Sequence, residues 1–286
     1  MQIRKIKNAK QQNILRVIGA ISTACLFVAI GGYIMSVSKA ATPFVAAEPD
    51  AGTITTPATK IADAAASGGS AVKFMAATPT TYKLMPLGDS ITLGWNYYPG
   101  TSYPPPGGYR TLLYQKLVAD GKKVDFVGSL GSGPDTLGDK DHEGHSGWRI
   151  DQIRANIDAY LSSAQPDIVL LMIGTNDVLQ NLNLSAAPSR LQDLVDRICV
   201  DRPSVQIVVS SIPPRPGLDS AVNAYNSKVP GVVASSVGKG CKTTFFDMNS
   251  KMVASDISTS DNTHPTTPGY DKMANAWYPY VMTLLK

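Results

Sequence analysis

Cysteine is scarce, with three in 286 residues and no Cys-x-x-Cys pair. That excludes a disulfide-stapled miniature fold and gives no sign of a structural zinc site. Charge is sparse too. Charged residues make up 17% of the chain and hydrophobic ones 43%, a balance that fits neither a disordered chain nor a multi-span membrane protein. Acidic residues are missing altogether from residues 1–40, which hold six Lys/Arg: Arg4, Lys5, Lys7, Lys10, Arg16 and Lys39. Beyond residue 40, 20 basic residues face 22 acidic ones, so the overall charge of +4 belongs to the N-terminal segment. The rest of the chain lacks the basic surface that phosphate neutralisation requires, and no nucleic-acid partner is expected.

The N-terminal 40 residues contain an uncharged run of 21, Val17 to Val37, behind five basic residues. A secretory signal has an apolar core of only ~7–15 residues, whereas a spanning helix needs ~20. Two readings stay open: a retained membrane anchor, which the length favours, or a signal peptide cut after Ser38-Lys39-Ala40. Both put the remainder outside the cytoplasm, at the cell surface or secreted. Residues 41–79 then read as an Ala/Thr/Pro-rich linker. Ala40 to Pro79 holds 13 Ala, six Thr and four Pro, too little apolar surface to offset the entropy of ordering. Ala66-Ser67-Gly68-Gly69 with Val72 and Phe74 resembles the opening strands of a carbohydrate-binding β-sandwich, but forty residues cannot complete one.

From residue 80 the pattern becomes an alternation of apolar runs and amphipathic segments. Strands are expected at Lys83 to Leu87, Val124 to Val127, Asp167 to Ile173, Val205 to Val209 and Thr243 to Phe246. Helices are expected at Tyr109 to Ala119, Ile150 to Leu161, Pro188 to Cys199, Ala221 to Val233 and Pro268 to Leu285. Ile150, Ile153, Ile157 and Leu161 recur at helical spacing, and Thr267 with Pro268 reads as the start of the last helix. Continuous apolar strands between helices imply a parallel sheet covered on both faces, a three-layer α/β/α sandwich. In such a sheet the ligand site lies beyond the carboxyl ends of the strands.

Three clusters stand there: Gly88-Asp89-Ser90, Gly174-Thr175-Asn176-Asp177 and Asp261-Asn262-Thr263-His264-Pro265. Together they bring a hydroxyl, a side-chain amide and a carboxylate-imidazole pair to one edge of the sheet. Acyl transfer uses these types: a serine attacks, an imidazole takes its proton, a carboxylate orients the imidazole, and N–H groups stabilise the oxyanion. Each cluster alone also reads as an ordinary turn. Their joint occurrence carries the signal.

These blocks resemble the Gly-Asp-Ser-Leu, or SGNH, hydrolases, with Ile91 in place of the namesake leucine. The resemblance spans Leu84 to Leu285 and implies a five-stranded, flavodoxin-like parallel sheet. It implies Ser90 as nucleophile, His264 as general base and Asp261 as its orienting acid. The amide of Asn176 and the N–H groups of Ser90 and Gly147 would form the oxyanion hole, with Gly128 as the alternative glycine. Within the family, Met85 to Thr92, Gly107-Gly108-Tyr109-Arg110, Asp125 to Ser129, Glu143 to Trp148 and Asp261-x-x-His264-Pro265 are similar to acetylxylan esterases of carbohydrate esterase family 3. That similarity implies removal of O-acetyl groups from a polysaccharide such as xylan, with no metal or cofactor. A lipid esterase or thioesterase on the same fold and a non-catalytic glycan-binding protein are the rivals.

The aromatics of the loop after Ser90, foremost Trp95, Tyr97 and Tyr98, are candidate sugar-stacking residues or simply loop packing. Other clusters read differently. Gly144-His145-Ser146-Gly147 lacks the preceding strand and final glycine of the Gly-x-Ser-x-Gly elbow, so Ser146 is no nucleophile. Asp139, Asp141, His142, Glu143 and His145 crowd together, but the glycines there oppose a zinc-binding helix, and the stretch reads as a polar loop over the site. Cys199 and Cys241 are expected at the amino edge of the sheet, as a disulfide or as two thiols.

Overall fold

The computed structural model describes residues 58–62, 70–74, 80–95 and 107–285. Two compact units divide the chain, residues 1–77 and 78–286. In the first, inside the stretch expected to be a linker, β1 (Ala58–Ala62) pairs antiparallel with β2 (Ser70–Phe74). The expected membrane segment, 17–37, lies outside the described residues. Among the described residues no helix is long and apolar enough to cross a membrane.

The second unit runs β3 (Tyr82–Gly88), α1 (Ser90–Leu93), α2 (Tyr109–Ala119), β4 (Val124–Phe126), β5 (Leu130–Gly131), β6 (Asp141–Gly144), α3 (Ile150–Ala164), β7 (Ile168–Met172), α4 (Thr175–Gln180), α5 (Ala187–Asp201), β8 (Gln206–Ser210), α6 (Asp219–Asn226), α7 (Val229–Gly238), β9 (Thr243–Phe246) and α8 (Thr267–Leu284). The order β4-β3-β7-β8-β9 is parallel throughout. It is the parallel sheet expected from the alternation of runs, in the five-stranded, flavodoxin-like order that the resemblance implied. All five expected strands form.

The middle strand explains the layers. In β7 every side chain is buried, and successive residues point to opposite faces. Ile168, Leu170 and Met172 pack with α2 and α8, around the fully buried Trp277. Val169 and Leu171 pack on the other side with Ile150, Ile153, Ile157 and Leu161 of α3 and the apolar faces of α5 to α7. Each such aliphatic side chain contributes roughly 1.5–3 kcal/mol by leaving water.

Three expectations need correction. The polar loop at 141–144 is instead strand β6, which adds beside β4 on the same edge of β3, pairing Leu87 with Glu143 and Gly88 with Gly144. Its short antiparallel partner is β5. The helix expected over Ala221 to Val233 is two, α6 and α7. Pro230 has no N–H to donate, and it stands in the first turn of α7, where a helix needs no such donor. The last helix is capped one residue earlier than expected: Thr266 Oγ1 accepts from Gly269 N–H at 3.1 Å, leaving Thr267 inside the helix.

Candidate active site

Ser90 is the first residue of the four-residue helix α1, directly beyond β3. Gly88 ends that strand where a Cβ would lie 2.2 Å from the Met172 carbonyl of β7, so only glycine fits. Asp89 caps the helix, its Oδ1 accepting from Ile91 N–H at 2.9 Å. Burial pushes the Asp89 carboxyl up to about 7, and its hydrogen bond from Ile91 only partly offsets this. At the other end Gly94 turns in the left-handed region, φ 90°. So short a helix has little stability of its own. Arg110 holds it from below: Nε donates to Thr92 O at 3.0 Å, and Nη2 donates to Leu93 O and to Ser132 O, both at 2.9 Å. Burial lowers the guanidinium to about 10, so it remains a cation over the helix's carbonyl end at neutral pH.

His264 and Asp261 come from the loop before α8. Ser258 N–H donates to the His264 carbonyl at 2.8 Å, and Ile257 bridges Pro265, closing the loop on itself. Asp261 Oδ1 accepts from Thr263 N–H (2.9 Å) and His264 N–H (3.0 Å), a local turn of the kind Asp favours. Its Oδ2 lies 2.6 Å from His264 Nδ1, and His264 Nε2 lies 2.7 Å from Ser90 Oγ. Burial pushes the Asp261 carboxyl up, but the hydrogen bonds from the His264 ring and the two backbone N–H groups outweigh it and hold the group below its ordinary value. A carboxylate at Nδ1 fixes the tautomer with the proton there, which leaves Nε2 free to accept from the serine hydroxyl. The structure therefore brings Ser90, His264 and Asp261 into one hydrogen-bonded line, across 174 residues of sequence.

Asn176 sits in the first turn of α4, beyond β7, the neighbour of β3. Gly174 before it has φ 126°, and a Cβ there would strike the Tyr225 ring at 2.5 Å. Asn176 is buried, and one hydrogen of its side-chain amide is donated to the Trp148 carbonyl at 2.9 Å. Asp177 ties down the same region. Its Oδ2 accepts from Ile150 N–H at the start of α3 (3.0 Å) and its Oδ1 accepts from Arg190 (2.7 Å). Gly147 lies in the exposed turn just before Trp148, with φ 79°. Gly128, the other candidate, is packed instead on β6: a Cβ there would meet the His142 carbonyl group at 2.1 Å. Trp95 lies beside His264, the two rings 6.2 Å apart, while Tyr270 donates to the Trp95 carbonyl at 2.5 Å. Tyr97 and Tyr98 lie outside the described residues.

The three histidines of the chain do three different things. His264 faces Ser90. His142 is fully buried in β6, its Nδ1 accepting from Gly144 N–H at 3.0 Å and its Nε2 2.7 Å from Ser132 Oγ. Burial lowers it to about 3, so it is neutral with its proton on Nε2. His145 Nε2 lies 2.6 Å from Oε1 of the fully buried Glu143, which also receives Ser129 N–H and Ser129 Oγ–H at 2.7 Å each. Asp139 of the same crowd accepts from Phe126 N–H at 2.6 Å. These groups knit β4, β5 and β6 together. Ser146 is exposed in the turn.

Sequence reasoning missed Arg110, Asp177 and the Trp148 carbonyl. Arg110 lay within Gly107-Gly108-Tyr109-Arg110, where a basic residue after two glycines carries no hint of a buried clamp. Asp177 followed Asn176 directly and read as a turn former. A backbone carbonyl leaves no trace in residue type.

Residues 87–272 match the model of the GDSL-like lipase/acylhydrolase family. Among curated proteins, the chain is 38% identical over 144 residues to the putative endoglucanase X of Acetivibrio thermocellus, covering 48% of this chain and 59% of that protein. It is 31% identical over 235 residues to the multidomain esterase of Ruminococcus flavefaciens, covering 72% of this chain and 29% of that protein. It thus spans less than two thirds of either relative. Among solved structures, a family 3 carbohydrate esterase of Clostridium thermocellum matches with a TM-score of 0.63 at 40% identity, over 72% of this chain and 98% of that one. A family 3 carbohydrate esterase from Talaromyces cellulolyticus matches with a TM-score of 0.62 at 28% identity, over the same shares.

Proposed function

The chain belongs to the GDSL-like lipase/acylhydrolase family, and on that footing we propose that it is a serine esterase that removes O-acetyl groups from a polysaccharide such as xylan. The observation that carries this reading is the line Ser90 Oγ, His264 Nε2, His264 Nδ1, Asp261 Oδ2, with gaps of 2.7 and 2.6 Å. Ser90 Oγ attacks the acetyl carbonyl carbon as His264 Nε2 takes its proton. Asp261 holds the Nδ1–H and stabilises the imidazolium. The carbonyl oxygen becomes an oxyanion, met by the second amide hydrogen of Asn176 and the N–H groups of Ser90 and Gly147. Collapse expels the sugar oxygen, which takes the proton from His264 as it leaves and departs as a hydroxyl, and leaves acetyl-Ser90. Water, deprotonated by the same imidazole, then releases acetate and free enzyme. Trp95, beside His264, offers a ring on which a sugar can stack.

Two features support a site of action outside the cytoplasm: the uncharged run Val17 to Val37 behind basic residues, and the disulfide between Cys199 and Cys241. Protease added to intact cells is expected to release an active fragment by cutting within residues 41–79. Protection until lysis would overturn the topology.

The substrate reading is tested by acyl-chain preference and by acetate release from acetylated xylan, with Ser90→Ala as the control. Acetyl esters should be preferred over long-chain p-nitrophenyl esters, and acetate should come from the polymer. Preference for long chains would make the protein a lipid esterase, and polymer binding without hydrolysis a glycan-binding protein.

A further inference from the structure

Two buried groups close to the site take no part in the line of proton transfer. Glu143 has its side chain fully buried, and His145 nearly so. A buried carboxyl group costs free energy unless its hydrogen bonds are well made, and these are: Ser129 N–H, Ser129 Oγ–H and the His145 ring, all at 2.6–2.7 Å. The ring of His145 is in turn pressed between two aromatics, Trp148 at 4.1 Å and Tyr160 at 5.2 Å, both within 17° of parallel. His145 also begins the turn that carries Gly147 and ends at Trp148. Its own N–H donates to the Gly88 carbonyl, two residues before Ser90, at 2.9 Å, and its carbonyl accepts from Trp148 N–H at 3.2 Å.

Gly147 is exposed, and among the described residues nothing lies within 4 Å of where its Cβ would be. What sets its position is therefore its flanks. On one flank Gly144 is paired with Gly88 and packed so closely that a Cβ would reach Leu93 N at 2.4 Å. On the other, the Trp148 carbonyl receives the Asn176 amide. Glu143, His145 and Trp148 link the two, from a strand pairing to the backbone oxygen that orients a side-chain donor.

We infer that Glu143 and His145 are positioning residues for the oxyanion hole, holding the 145–148 turn so that Gly147 N–H and, through the Trp148 carbonyl, the Asn176 amide keep their aim. This rests on the oxyanion reading of Asn176 and Gly147 given above. Such donors act only when held to within about 0.5 Å of the productive geometry. A loosened turn should therefore weaken the transition state and leave ground-state binding almost unchanged.

The test is a double-mutant cycle. His145→Phe keeps an aromatic ring between Trp148 and Tyr160 and removes the bond to Glu143. Glu143→Gln keeps the volume and replaces an acceptor by a donor facing donors. Each is combined with Asn176→Ala, and turnover is expressed per folded molecule from the melting transition, so that a less stable variant still reports. Each single substitution should lower kcat about 10–100-fold with KM within about twofold, because it disturbs one or two oxyanion donors. In the Asn176→Ala background the same substitution should cost at least about threefold less than it does alone, since the part acting through Asn176 is already lost and only the part acting through Gly147 remains. Unchanged kcat, or a full loss repeated in the Asn176→Ala background, would overturn the positioning role. Asn176→Ala with normal kcat would instead overturn the oxyanion reading beneath it. If Asn176→Ala is crippled while His145→Phe and Glu143→Gln turn over normally, only the present inference falls.

Discussion

At the carboxyl ends of β3, β6 and β7 the protein buries Asp89, Glu143 and Asp177, with His142 and Arg110 beside them. At the amino ends of β8 and β9 it carries a half-buried disulfide: Cys199, near the end of α5, is bonded to the buried Cys241, with 5.7 Å between their Cα atoms. The first end gathers groups that are costly to dehydrate and holds them by individual hydrogen bonds, such as Ile91 N–H to Asp89, Ser129 N–H to Glu143 and Ile150 N–H to Asp177. The second is closed by one covalent link across 42 residues. The difference teaches where each kind of change should register. Substitutions at the carboxyl end should alter turnover or the way stability depends on pH, and those at the amino end should alter stability without touching turnover.

The largest effect is expected at Ser90. Ser90→Ala should lower kcat about 10³–10⁶-fold, as for loss of a triad nucleophile, with an unchanged melting temperature. A folded variant that still turns over would remove Ser90 from the chemistry. Next comes Asn176→Ala, with a loss in kcat of about 10²–10³ and little change in KM, the cost of one oxyanion donor. If the variant instead melts earlier and keeps its turnover per folded molecule, Asn176 is only a tie to Trp148.

At the opposite end, Cys199→Ser with Cys241→Ser should cost about 4 kcal/mol, from the loop entropy that a link across 42 residues removes from the unfolded chain. Melting should fall by roughly 10 °C for a domain of this size, while kcat at 25 °C stays the same. A drop in kcat per folded molecule would show that the two ends are coupled.

The smallest effect concerns pH. Asp89 is raised by burial from 3.8 to about 7, so its share of stability is full below the lower value and lost as pH rises through the upper one. His142 is lowered by burial from 6.5 to about 3, so its share is present above the upper value and lost as pH falls through the lower one. Between about pH 4 and pH 6.5 the two slopes oppose each other. Asp89→Asn keeps an oxygen to cap Ile91 and abolishes the first slope. Its melting temperature should therefore gain on the parent's steadily from pH 4 to pH 7, and parallel curves would show that Asp89 does not titrate there.

The periodicity of apolar residues determined the alternation of strands and helices, since a strand buried on both faces has to be apolar throughout and Ile168 to Met172 is. Residue type and order after each strand also determined the candidate set Ser90, Asn176, Asp261 and His264, because few side chains can attack, accept a proton or donate to an anion. Proline chemistry was legible at Pro230, yet the helix break there went unread because the apolar spacing continued across it. What only the tertiary structure decided is contact over distance. Whether Cys199 meets Cys241 depends on where two strands begin, and no local pattern encodes a Cα separation. His142 and Glu143, in a stretch rich in glycine and charge, became a buried strand packed directly on other backbone: a Cβ at Gly128 would collide with the His142 carbonyl, and one at Gly144 with Leu93 N. That His264 reaches Ser90 across 174 residues follows from a loop closing on α8 and a short helix clamped by Arg110, and both depend on packing that comes together only when the sheet is built.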